Sequence, residues 1–138
     1  MAGSIVETHV KRGPIGLITL TCTADSGDAT FPATPLVTKF SGELIRMVTN
    51  PGATGPTNLY DITLDDADGI DVLYGAGDNL LIATTEDNPI VVTETAASKG
   101  YQMHPPISVA DTLTLTITNN SVNSAVVVVK LYYTGQAD

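Results

Sequence analysis

Threonine alternates with aliphatic residues along much of this chain, and few folds tolerate that alternation. Twenty of the 138 residues are threonine. In Thr112-Leu113-Thr114-Leu115-Thr116-Ile117-Thr118 the period is two, so an extended strand turns Leu113, Leu115 and Ile117 to one face and the threonines to the other. One face is core and the other is wet. The same reading places strands at Ser4–Lys11 and Ile15–Ala24, with Arg12-Gly13-Pro14 as the turn between them. It also places extended chain at Leu36–Lys39, Gly42–Asn50 and Leu59–Leu64. Leu64 leads through an aspartate turn to a return strand at Ile70–Leu73, with Gly69 where a positive φ is needed. Pro89–Thr93 and Ile107-Ser108-Val109 are further strands. Asn119–Ser124 joins Thr112–Thr118 to Ala125–Tyr133 as a C-terminal hairpin. Val126–Val129 breaks the alternation, which predicts a last strand covered on both faces by its own domain or by a neighbouring subunit.

Prolines at 32, 35, 51 and 56 forbid a long helix in the first half. Only Asp78–Thr84 reads as one or two helical turns, capped by Asp78, or else as an irregular crossing. Asn50–Thr57 reads as an exposed loop at one end of the fold, and Gln136-Ala137-Asp138 as a frayed end. The expected architecture is all-β: a single-domain β-sandwich or jelly roll of about eight short strands over residues 1–138. Residues 1–13 form either its first strand or an N-terminal arm that adds a strand to a neighbour.

Charge narrows the partners. Six Lys+Arg stand against 15 Asp+Glu, a net charge of −9, and the basic residues are scattered. Such a surface repels phosphate, so neither nucleic acid nor an anionic membrane is an expected partner. With 43% apolar residues and 15% charged ones, the chain has enough aliphatic side chains to form a core. Its one cysteine, Cys22, cannot close an internal disulfide, so assembly in the cytoplasm is expected. Lys11-Arg12 followed by Ile15–Leu20 imitates a signal peptide ahead of Cys22, but the apolar run is short and interrupted by threonine. No export segment is expected from it.

The supply of catalytic groups is thin. A small hydrolase would need His9 and His104 to converge with an aspartate or with Cys22, and no local motif surrounds any of them. Cys22 reads as a core residue, His104 as a loop residue, and His9 as a surface or interface residue. Asp65, Asp66, Asp68 and Asp71 crowd around Gly69 as calcium ligands do, but the helix-loop-helix frame fails. With Gly69 as its glycine the first ligand position is Leu64 and the last is Gly75. The group reads as a solvated turn. Gly75-Ala76-Gly77-Asp78 lacks the lysine of a phosphate loop and places a carboxylate where phosphate would sit. No enzyme activity, metal or cofactor is expected.

The run Val48-Thr49-Asn50-Pro51-Gly52-Ala53-Thr54-Gly55-Pro56-Thr57-Asn58-Leu59-Tyr60-Asp61-Ile62-Thr63-Leu64, followed by Asp68–Leu73 and Gly75-Ala76-Gly77, resembles a group of small structural proteins. These are encoded in the virion gene clusters of tailed bacteriophages. The strand Val126–Tyr133 is similar to theirs as well, and the resemblance covers about half the chain. Its motif is a loop and a hairpin, so no active-site residue transfers. The resemblance implies a capsid decoration or cement protein, located on the capsid surface of the virion. It would bind the major capsid protein lattice and stabilise the shell, as a homo-oligomer with a trimer favoured. Ile5, Val6, His9 and Val10 are the expected capsid or subunit interface. Two alternatives stand beside it. One is a neck, tail or fibre component of the particle; the other is a carbohydrate-binding sandwich whose Asn50–Thr57 loop and aspartate turn form a calcium-assisted site.

Overall fold

The computed structural model describes residues 1–90, 92–93, 102–103, 106–107 and 112–137. They form two antiparallel sheets packed face to face, with no helix among the described residues. The strands are β1 (Ser4–Arg12), β2 (Ile15–Thr23), β3 (Thr34–Pro35), β4 (Phe40–Pro51), β5 (Asp61–Asp65), β6 (Glu86–Pro89), β7 (Val92–Thr93), β8 (Gln102–Met103), β9 (Pro106–Ile107), β10 (Thr114–Thr118) and β11 (Val126–Ala137). The larger sheet runs β1-β2-β11-β4-β6, with β9 also on β4, and the smaller runs β3-β10-β5. β7 and β8 pair with each other. The β-sandwich expected from the threonine alternation is what the chain forms.

Alternation explains the core. On the larger sheet Ile18, Leu20 and Cys22 of β2 point inward beside Val127, Val129, Leu131 and Tyr133 of β11 and Leu44 and Met47 of β4. Facing them are Ile62 and Leu64 of β5, Leu115 and Ile117 of β10, and Leu113 just before it. Between the sheets these side chains are removed from water, which is the main favourable term in folding. Val126 and Val128 are half-buried while Val127 and Val129 are fully buried. The valine run therefore has one core face and one partly open face.

Three local expectations are corrected and one open alternative is decided. Thr112–Thr118 and Ala125–Tyr133 do not form a hairpin: β10 lies in the smaller sheet and β11 in the centre of the larger one. Both strands carry a full apolar face, and a sandwich buries the two faces against each other by sending the connecting segment across its end. Asn119 and Ser124 take positive φ at that corner, 60° and 57°. Second, the return segment Ile70–Leu73 is a turn and not a strand: it meets β5 at an Asp65–Asp71 bridge and at Leu64, whose carbonyl accepts from Val72 and whose N–H donates to the Asp71 carboxylate, although Gly69 does take a φ of 79°. Third, Tyr74–Thr85 is the irregular crossing of the two alternatives considered. Fourth, the expected frayed end is strand: Gln136 and Ala137 pair with Ser41 and Phe40. Val91, His104, Ser108 and Val109 lie outside the described residues.

Candidate functional site

β1 is the end strand of the larger sheet, paired with β2 from Ser4↔Thr23 to Arg12↔Ile15. As an end strand it has a neighbour on one side only, and every β1 residue is exposed or half-exposed. Alternation divides the expected interface residues. Ile5 and His9 sit on the inward face, opposite Cys22 and Ile18, while Val6 and Val10 sit on the outward face, opposite Thr21 and Leu17.

The inward residues serve the fold. Ile5 packs against the core. Nε2 of His9 is hydrogen-bonded to the Tyr133 hydroxyl at 2.6 Å, and the two rings stack with centroids 5.9 Å apart. Tyr133 reaches His9 from β11 by crossing Gly16 of β2, where a Cβ would stand 2.1 Å from the tyrosine ring. Burial raises the Tyr133 hydroxyl pKa. Between Ile5 and His9, the Glu7 carboxylate accepts from the Val37 N–H at 2.8 Å, the Thr38 N–H at 2.7 Å and the Thr38 hydroxyl at 2.6 Å. These contacts fasten the edge strand to the β3–β4 connection. Sequence reasoning missed both ties, although a glycine inside a well-patterned strand signals a close approach.

The outward residues open onto a broad face. Rows across the larger sheet read Val6-Thr21-Val128-Asn50, Thr8-Thr19-Lys130-Val48 and Val10-Leu17-Tyr132-Arg46. Val6 is 59% exposed, Val10 50% and Ile15 38%. The charged side chains in these rows are Lys130 and Arg46. The Arg46 guanidinium lies over the Tyr132 ring, 4.4 Å from its centroid, and pairs with Asp87 at 3.0 Å. The Thr8-Thr19-Lys130-Val48 row continues to Asp87 on β6, and the next row, Arg12-Ile15-Thr134-Glu43, ends in a carboxylate, so in a chain of net charge −9 this face places its carboxylates toward its β4–β6 side and none among its β1, β2 and β11 residues.

The other candidates are occupied by structural tasks. Asp71 accepts from the backbone N–H groups of Leu64, Leu73 and Gly75, and Asp66 from those of Asp68 and Ile70. Among the described residues no group of three or more His, Cys, Asp or Glu is placed to hold a metal. The Asn50–Thr57 segment is pinned to β11, since Gly52 donates to Val126 and Val126 to Thr54. It precedes β5 and the aspartate turn follows β5, so the two parts of the sugar-site alternative stand about 13 Å apart along the strand, at about 3.3 Å per residue. Cys22 is wholly buried, and burial pushes its thiol up to about 12. His9 pairs with Ile18, four residues along β2 from Cys22, so the structure does not bring those two groups together. A cleft of about 310 Å³ is lined by Ala29, Thr30, Phe31 and residues 116–120, and none of these side chains titrates near neutrality. Among the described residues no helix is long and apolar enough to cross a membrane. No protein-family model, curated protein or solved structure matches the chain.

Proposed function

We propose that the chain is a non-enzymatic structural protein of a bacteriophage particle. In this reading it is a decoration or cement protein that lays the outer face of its larger sheet on the major capsid protein lattice. The observation that carries the reading is that face: its β1, β2 and β11 rows are Val, Thr, Leu and Tyr with Lys130 and no carboxylate, on an otherwise acidic molecule whose nearest carboxylates on this face are Glu43 and Asp87 at its β4–β6 side. Apolar side chains left half in water, as Val6 and Val10 are, gain free energy when a partner covers them. The surrounding threonines contribute hydroxyls that bond across an interface at little cost in side-chain entropy. A protein that binds the assembled lattice and not its free subunits shifts the equilibrium toward the lattice, and that is how a cement acts. The resemblance of Val48–Leu64 to virion proteins supports the same assignment, with the capsid surface as its location and the host cytoplasm as the place of assembly.

Co-sedimentation with expanded shells lacking the protein tests this. Wild type is expected to pellet with the shells at a fixed stoichiometry. Thr21→Glu, an exposed substitution in the middle of the outer face, is expected to weaken that binding tenfold or more while leaving the free protein folded. Equal binding by the variant, or no binding by wild type, would overturn the assignment.

A further inference from the structure

The free edge of β1 is a separate feature from the outer face, and its sequence is arranged for a definite partner. Ala24 donates to the Ala125 carbonyl of the β11 side at 2.8 Å, so even-numbered residues of β2 bond β11 and odd-numbered ones bond β1. Thr21 faces Val6 and Thr19 faces Thr8, so the even-numbered residues of β1 are those bonded to β2. Ile5, Glu7, His9 and Lys11 therefore direct their N–H and C=O groups to the outer edge. Among the described residues no strand pairs there. An edge of nine residues without proline is a template for another strand.

We infer that the occupant is a second copy of β1, antiparallel, with the two-fold axis through Thr8. Thr8 is the midpoint of Ser4–Arg12, so this register pairs all nine residues. It sets Val6 against Val10 of the second copy, Glu7 against His9, Ile5 against Lys11 and Ser4 against Arg12. The valine pairs and the Thr8–Thr8 pair fall at sites where no hydrogen bonds are exchanged, and there opposed side chains come closest. No like charges meet. Moving the axis one residue toward the N-terminus opposes Glu7 to Glu7. Moving it to His9 opposes two imidazoles and sets Val6 against Arg12. β1 carries Lys11 and Arg12 against Glu7 alone, so this edge is locally basic and lowers the repulsion between two copies of net charge −9.

The consequence is a continuous sheet across two copies, with Val6 and Val10 of both at the seam of a doubled outer face. This differs from the trimer expected from the resemblance, and it does not rest on attachment to a shell. The interface is a single strand pair, so the dimer is reversible and more populated at higher salt.

The test uses the purified chain without shells. Thr8→Cys places two thiols across the axis, about 4.5 Å apart at the Cα atoms and within the range of a disulfide. Cys22 is buried and does not compete. The expected results are sedimentation equilibrium of wild type between one and two chain masses, and covalent dimer from Thr8→Cys on mild oxidation. Val6→Cys alone should give none, whereas Val6→Cys with Val10→Cys in the same chain should cross-link. Thr8→Glu should weaken the dimer about tenfold or more, because it opposes two carboxylates. Monomeric wild type at the solubility limit, a trimer, or cross-linking of Val6→Cys alone as readily as Thr8→Cys would overturn the inference.

Discussion

Tyr133 shows how one side chain can hold an edge strand. Its ring crosses Gly16 and its hydroxyl meets His9 on β1, so β11, β2 and β1 are joined by one residue beneath the backbone ladder. Gly16→Ala is expected to displace the ring and to cost about 2 kcal/mol in a denaturant titration, although alanine otherwise suits a strand better than glycine. Two buried groups set the alkaline limit. The Cys22 thiol is pushed from 9.0 up to about 12 and the Tyr60 hydroxyl from 10.0 up to about 12, burial being the larger cause for each. Raised values mean that the folded state disfavours the charged form. Their contribution is complete below pH 9 and is lost as pH rises toward 12, on the order of 1 kcal/mol per pH unit for each ionising group. Unfolding free energy measured from pH 8 to 11 should fall accordingly, and a flat profile would contradict the burial of both groups.

Elements show where pattern is informative and where it is silent. β1, β2, β4 and β11 were legible because the period of two states which residues face the core, and burial at Ile18, Leu20, Val127 and Val129 follows it. Partner choice was not legible for β10 and β11. A short polar connection suits a hairpin and a sandwich corner equally, and the apolar faces of both strands are satisfied either way. What distinguishes the corner is Asn120. Its carboxamide oxygen accepts from Thr57 and Val122, and its nitrogen donates to the carbonyls of Ala29 and Val122. Those partners are remote in sequence, apart from Val122, so no local motif announces them. Asn120→Ala is expected to lower stability by about 2–3 kcal/mol and to speed amide exchange at Thr57, because it leaves half-buried backbone groups unpaired. The aspartate turn is similar: a cluster of carboxylates looks like a cation site in sequence, whereas Asp66 and Asp71 each close a backbone turn.

At the scale of the whole molecule, charge and surface divide the labour. Six of the 15 carboxylates, Asp61, Asp65, Asp66, Asp68, Asp71 and Asp78, gather around the smaller sheet and its loops, while the outer face of the larger sheet is mainly threonine and aliphatic groups, with Lys130 and Arg46 among them and Glu43 and Asp87 at its β4–β6 side. An acidic body keeps copies apart in solution, and a face with few carboxylates gives a partner something to settle on. Val6 and Val10 stand on the outer face as an alternating strand requires, but Ile5 and His9 are claimed by the core and by Tyr133. The central claim is that the chain stabilises a shell by covering that face. Its most direct test is the temperature at which expanded shells lacking the protein lose their packaged DNA, measured with and without saturating protein. The account predicts a higher release temperature with wild type and no increase with Thr21→Glu. An unchanged release temperature with wild type bound to the shells would contradict it.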